Sequence, residues 1–142
     1  MMNKVGFMQG RLSPIFDNKI QAFPFDHWEK EFSIAKELGI KCMEWTLDYP
    51  NLRCNPLLLN KKKKKILSLS YENDIELPSV TLDCCMQRPF WKAKEKFIFN
   101  ELVDDFKLII ESAVDSKVSL SAKGSTRSSG ISGGRTSDPD RA

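Results

Sequence analysis

The chain switches repeatedly between short apolar runs and longer stretches in which apolar positions recur every three or four residues. Lys4–Gln9 (K-V-G-F-M-Q) is the first short run and predicts a strand, buried on both faces. An irregular segment follows to Phe25, with a turn signal at Asp17-Asn18. Trp28, Phe32, Ala35 and Leu38 then share one helical face, and Glu29, Lys30, Glu31, Lys36 and Glu37 cover the other. Asp26, with Glu29 three residues on, predicts the helix start, and Gly39 its left-handed end. Gly39–Asp48 (G-I-K-C-M-E-W-T-L-D) predicts a second strand that closes on two carboxylates, Glu44 and Asp48, either side of Trp45. Asn55-Pro56 opens a second helix running to about Glu72, with Leu59, Ile66 and Leu69 inward. Asn73-Asp74 turns the chain into a third strand, Glu76–Asp83, interrupted by Pro78. Cys84–Trp91 predicts a loop. A third helix from about Ala93 to Ser116 places Ile98, Leu102, Phe106, Ile109 and Ala113 on one stripe.

A strand-then-helix unit repeated this way predicts an α/β fold with a parallel sheet, either barrel or doubly wound. In both architectures chemistry gathers at the carboxyl ends of the strands, which makes Glu44 the leading candidate for a catalytic side chain. The pattern stops after Val118. Residues 119–142 are rich in Ser, Gly and Arg and contain no aromatic residue, so they predict a disordered tail behind a domain spanning 1–118.

Charge and cysteine content narrow the classes. The formal net charge is +3, of which the tail carries +2, so the body is close to neutral and does not suit a protein that binds nucleic acid by neutralising phosphates. Lys61–Lys65 is a run of five lysines, but consecutive helical positions point all round the axis, and the run reads as a solvated helix face. No apolar run is long enough to span a bilayer, and the N-terminus enters a strand pattern without a signal-peptide apolar region. The expected compartment is the cytoplasm, where Cys42, Cys54, Cys84 and Cys85 would remain free thiols. Their spacing offers no C-x-x-C pair for zinc, and adjacent Cys84 and Cys85 would point to opposite faces of a strand.

Several short motifs arrive in one order: Met8-Gln9-Gly10-Arg11-Leu12-Ser13, Ile20-Gln21-Ala22-Phe23-Pro24, Trp28, Glu31-Phe32, Leu38-Gly39-Ile40, Glu44-Trp45, Asn55-Pro56-Leu57, and Pro78-Ser79-Val80 with Asp83. Over roughly residues 3–117 this order resembles the N-terminal part of the sugar phosphate isomerase/epimerase family, the xylose-isomerase-like TIM barrels. The resemblance implies a (β/α)8 barrel of which this chain holds about three βα units, since a whole barrel takes about 250 residues. It implies interconversion of aldose and ketose sugars, or of epimers, by metal-assisted proton transfer next to a carbonyl. The divalent metal (Mn, Mg, Zn or Co) of such enzymes is held by residues from the second half of the barrel. No metal ligand transfers to this sequence, and the chain alone is expected to bind no metal and to be inactive. By the same resemblance Glu44 is the catalytic candidate, and Gln9, Arg11, Trp45 and Asp83 are candidate contacts to a sugar or sugar phosphate. Gln9 would equally serve by satisfying backbone groups at the end of strand one, Arg11 by pairing with a carboxylate, and Trp45 by packing.

Two other readings stand beside this one. The same barrel architecture supports abasic-site DNA cleavage, for which Lys61–Lys65 is the only sequence feature. A small non-catalytic α/β module that binds a protein is the other. On the isomerase reading no nucleic acid or membrane partner is expected, and the open barrel edge would favour self-association.

Overall fold

Among the described residues, four parallel strands stand in sequence order across one sheet: β1 (Gly6–Met8), β2 (Cys42–Leu47), β3 (Val80–Leu82) and the two-residue β4 (Leu120–Ser121). In this computed structural model the described residues are 4–16, 18, 19 and 22–116, with the backbone of 120 and 121. Helix α1 (Trp28–Glu37) links β1 to β2, and α2 (Asn60–Asn73) links β2 to β3. The short α3 (Asp83–Gln87) and the long α4 (Lys96–Asp115) lie between β3 and β4. The fold is α/β with a small parallel sheet.

Alternation along the strands decides where the core lies. Gly6, Phe7 and Met8 stand opposite Cys42, Met43 and Glu44, and Trp45, Thr46 and Leu47 stand opposite Val80, Thr81 and Leu82. Met43, Trp45, Leu47, Val80 and Leu82 share one face and form a single core with Phe32 and Ala35 of α1, Ile66 of α2 and Ile109 of α4. Trp45 stacks edge-on with Trp28, and its indole N–H donates to Asn55 at 2.9 Å. Glycine ends α1 as its position predicts: Gly39 has φ +72, and Ile40 N–H reaches back to the Ala35 carbonyl. Asp74, at φ 55, ends α2 in the same way.

Several sequence expectations change. The first strand is three residues long rather than Lys4–Gln9, and Val5, Gly6 and the half-buried Phe7 and Met8 do not form a run buried on both faces. Asp26 does not cap α1; the Pro24 carbonyl takes the His27 and Trp28 amides in a turn, and the helix starts at Trp28. Leu38 falls beyond the last helical turn and is 61% exposed. Asn55 does cap, but it caps a 3-10 turn, Pro56–Leu58, and α2 begins only at Asn60, leaving Leu59 at its N-cap partly exposed. Pro78 shortens β3 to Val80–Leu82, while Glu76 still bridges to Cys42. The Cys84–Trp91 segment is not a loop throughout: it contains most of α3 and the start of a 3-10 turn at Phe90–Lys92, so α4 starts at Lys96.

Lys61–Lys65 lie on α2 with their charges dispersed. Lys63 pairs with Asp115 at 3.1 Å, and Lys65 lies 3.7 Å from Glu29. Leu120 and Ser121 pair with Val80 and Thr81, so strand structure extends into the segment expected to be disordered. The rest of that tail, with Asp17 of the turn signal and Ile20-Gln21 of the second motif, lies outside the described residues. Among the described residues no helix is long and apolar enough to cross a membrane.

Candidate functional site

The face of the sheet opposite the helices carries Gly6, Met8, Cys42, Glu44, Thr46, Ser79 and Thr81, by the register that puts their neighbours in the core. Its lower part is an open concavity of about 280 Å³, lined by Gly6, Phe7, Met8, Cys42, Glu44, Pro78 and Ser79. β1 and β2 approach closely here. A Cβ on Gly6 would lie 3.0 Å from the Cys42 side chain, so the absence of a side chain keeps the hollow open. Glu44 is half-buried in it, and the Ser79 hydroxyl donates to its carboxylate at 3.1 Å. That bond orients Glu44 from the neighbouring strand.

One step toward the carboxyl ends, the row becomes buried. Gln9 N–H donates to the Glu44 carbonyl at 2.9 Å, and the Gln9 side-chain carbonyl accepts from Thr46 N–H at 3.1 Å. The side chain thus continues the β1–β2 ladder one rung past the end of β1. Its amide nitrogen has no hydrogen-bond partner among the described residues, and neither has the Thr81 hydroxyl across β2. Both residues are at most 1% exposed.

The loop after β1 is fixed by two devices. Gly10 has φ +96, and a Cβ there would meet the Ala22 carbonyl oxygen at 2.5 Å. Glu31 was expected on the solvated side of α1, yet it is fully buried, and its carboxylate accepts from the amides of Gly10 at 2.8 Å and Leu12 at 3.1 Å. Burial raises its affinity for a proton, opposed by the Ser13 hydroxyl and those amides. Arg11, on the same loop, is exposed and has no ion-pair partner among the described residues.

At the strand ends Asp48 is buried and accepts from Phe23 N–H at 3.3 Å. Burial pushes its carboxyl up to about 6; the Phe23 amide opposes this, the negative charge of Asp83 adds to it, and Lys19 opposes it. Asp83 follows β3 as the first residue of α3. The structure therefore brings two strand-end carboxylates, Asp48 and Asp83, into electrostatic contact.

Of the residues singled out from the sequence, Gln9 and Glu44 are in direct backbone contact, Asp83 joins Asp48, Arg11 stands out on its loop, and Trp45 lies in the core on the opposite face. Sequence reasoning placed Asp48 at the end of strand two without carrying it into the site, and missed Thr46 and Glu31 as members of this region. The signal for Asp48 and Thr46 was present: positions 44, 46 and 48 share parity along one strand. A second polar network was also missed. Tyr49 O–H donates to Asp105 at 2.7 Å, Arg53 reaches the same carboxylate at 2.6 Å, and Arg88 lies 5.0 Å over the Tyr49 ring. Among the described residues no group of three or more His, Cys, Asp or Glu could hold a metal ion, so the divalent metal implied by the resemblance does not fit them.

No protein-family model matches the chain, and no curated protein matches its sequence.

Proposed function

We propose that this chain is the first part of a sugar phosphate isomerase/epimerase-type (β/α) barrel, whose uncovered sheet face binds a sugar or sugar phosphate. The observation that carries the reading is the division of the sheet. Parallel strands run in sequence order, the helical residues of the core meet one face, and a hydrogen-bonded carboxylate, Glu44, stands on the other. A doubly wound sheet would instead place helices on both faces and reverse the strand order.

In this reading Glu44 is the base that removes a proton next to the substrate carbonyl and returns it to the neighbouring carbon or to the opposite face of the same carbon. Ser79 holds its carboxylate in place. Asp48, whose carboxyl is poised at about 6, exchanges hydrogen bonds with sugar hydroxyls in either protonation state. Arg11, exposed beside the strand ends, meets a phosphate. No step is drawn through a metal. The concave face and the sheet edge would be completed by further strands, and in their absence by a second copy of the chain.

The test joins this chain to a second half that supplies the remaining strands and measures isomerase turnover. Glu44→Gln should lower kcat by about 100-fold or more, the scale of a lost general base. Glu37→Gln, on the exposed side of α1, should leave kcat within about twofold, as a surface change away from the chemistry should. Equal effects of the two substitutions would overturn the role of Glu44.

A further inference from the structure

On a strand, Cys84 and Cys85 would face opposite ways. The structure places both in the first turn of α3, because β3 ends at Leu82. Successive helical side chains are only about 100° apart, so both thiols lie on one flank. They line the same small void, of about 10 Å³, with Tyr49, Arg88 and Asp105. Cys84 is buried and Cys85 half-buried, which gives one inner and one outer sulfur. Both are free thiols, and Cys42 and Cys54 belong to other elements, β2 and the 3-10 turn at Leu52–Cys54.

We propose that Cys84 and Cys85 form a vicinal dithiol site that chelates monosubstituted trivalent arsenicals through both sulfurs.

The alternatives for such a pair fit less well. Consecutive Cα atoms are about 3.8 Å apart, below the roughly 4.4–6.8 Å that a relaxed disulfide spans, so direct S–S bonding would break α3. Zinc takes four ligands, and among the described residues no group of three or more His, Cys, Asp or Glu could hold a metal ion; Asp105, which lines the same void, is already tied to Tyr49 and Arg53. A bridging arsenic adds one atom between the sulfurs and leaves the helix intact. The neighbouring Cys85 thiol and burial push the Cys84 thiol up, and Cys84 in turn holds Cys85 below the usual thiol range. Cys85, the more accessible sulfur, therefore attacks first, and Cys84 closes the ring. The step is an exchange at arsenic: two As–S bonds form, two As–O bonds break, and the two thiol protons leave with the displaced oxygens as two waters. Arsenic stays trivalent and no oxidant is needed.

The test uses the full chain with phenylarsine oxide, which hydrates to the dihydroxy form, followed by intact mass spectrometry and thiol titration. One arsenical per chain should bind, with loss of two of the four thiols. The adduct should survive excess monothiol and be removed by 2,3-dimercaptopropanol. Cys85→Ser should weaken binding by about 100-fold, because the second As–S bond loses its intramolecular advantage. Cys42→Ser and Cys54→Ser should keep the wild-type adduct. Cys84→Ser should match Cys85→Ser if its circular dichroism shows it folded; if it does not fold, peptide mapping of the wild-type adduct decides the second sulfur. A monothiol-resistant adduct retained in Cys85→Ser, one mapped to Cys42 or Cys54, or none on the wild type would overturn the proposal.

Discussion

The two faces of the sheet are made by alternate residues of the same strands, yet they differ in kind. On the helix side Met43, Trp45, Leu47, Val80 and Leu82 are packed among aromatic and aliphatic side chains, and the one polar group of Trp45 has its partner in Asn55. On the other side Glu44, Thr46, Asp48 and Thr81 bring polar atoms close together, and some of these are desolvated without full compensation. The first face supplies stability through burial and dispersion. The second holds Asp48, whose carboxyl burial pushes up to about 6, and buried polar atoms of Gln9 and Thr81 with no hydrogen-bond partner among the described residues. Neighbouring residues such as Trp45 and Thr46 therefore carry different tasks.

The largest test of this contrast is Trp45→Ala. Removing a fully buried indole should destabilise the chain by about 3–5 kcal/mol in urea denaturation, through lost transfer energy and the cavity left behind. A loss below 1 kcal/mol would mean that the helix side is not the stabilising face.

Asp48→Asn comes next, and its sign depends on pH. The folded-state pKa is raised from 3.8 to about 6, so the folded chain holds this proton more tightly than the unfolded chain does. The contribution favours folding fully below about 3.8 and is lost as pH rises through about 6, where ionised Asp48 opposes folding. Relative to the parent, Asp48→Asn should be nearly neutral at pH 3.5 and stabilising by up to about 3 kcal/mol at pH 8, since each unit corresponds to about 1.4 kcal/mol. The Phe23 amide keeps an acceptor in the Asn side chain. A difference that does not change with pH would remove Asp48 from the strained face.

The smallest effect is expected at Thr81. Its buried hydroxyl has no partner among the described residues, so replacement by Val, close to it in shape, should stabilise by about 1 kcal/mol. Destabilisation by that amount would show that the hydroxyl is satisfied in solution and that this row is less strained than its geometry indicates.

The presence of the helices, the glycine end of α1 and the cores of β2 and β3 could be read from the sequence, because each depends on neighbours within a few residues. Trp28, Phe32 and Ala35 on α1 and Leu102, Ile109 and Ala113 on α4 were inward by spacing and are buried. The element starts were less legible. At Asp26 and Asn55 the residue types of a cap were present, but backbone turns through Pro24 and Pro56 decided where the helices begin. The candidate site was partly legible. Strand-end acids were visible as residue types, and Glu44 was singled out by its position.

The sequence by itself determined an alternating α/β chain with a parallel sheet, because local propensity and hydrophobic period are properties of neighbouring residues. Only the tertiary structure decided the fate of particular polar groups. Glu31 left the solvated side of α1 because the loop after β1 presents it with two amides, and Asp48 lost its water where Phe23 closes over it. Cys84 and Cys85 came to one flank because β3 stopped one residue before Asp83. Desolvation and partner geometry are set by residues tens of positions away in the chain, and no local pattern encodes them.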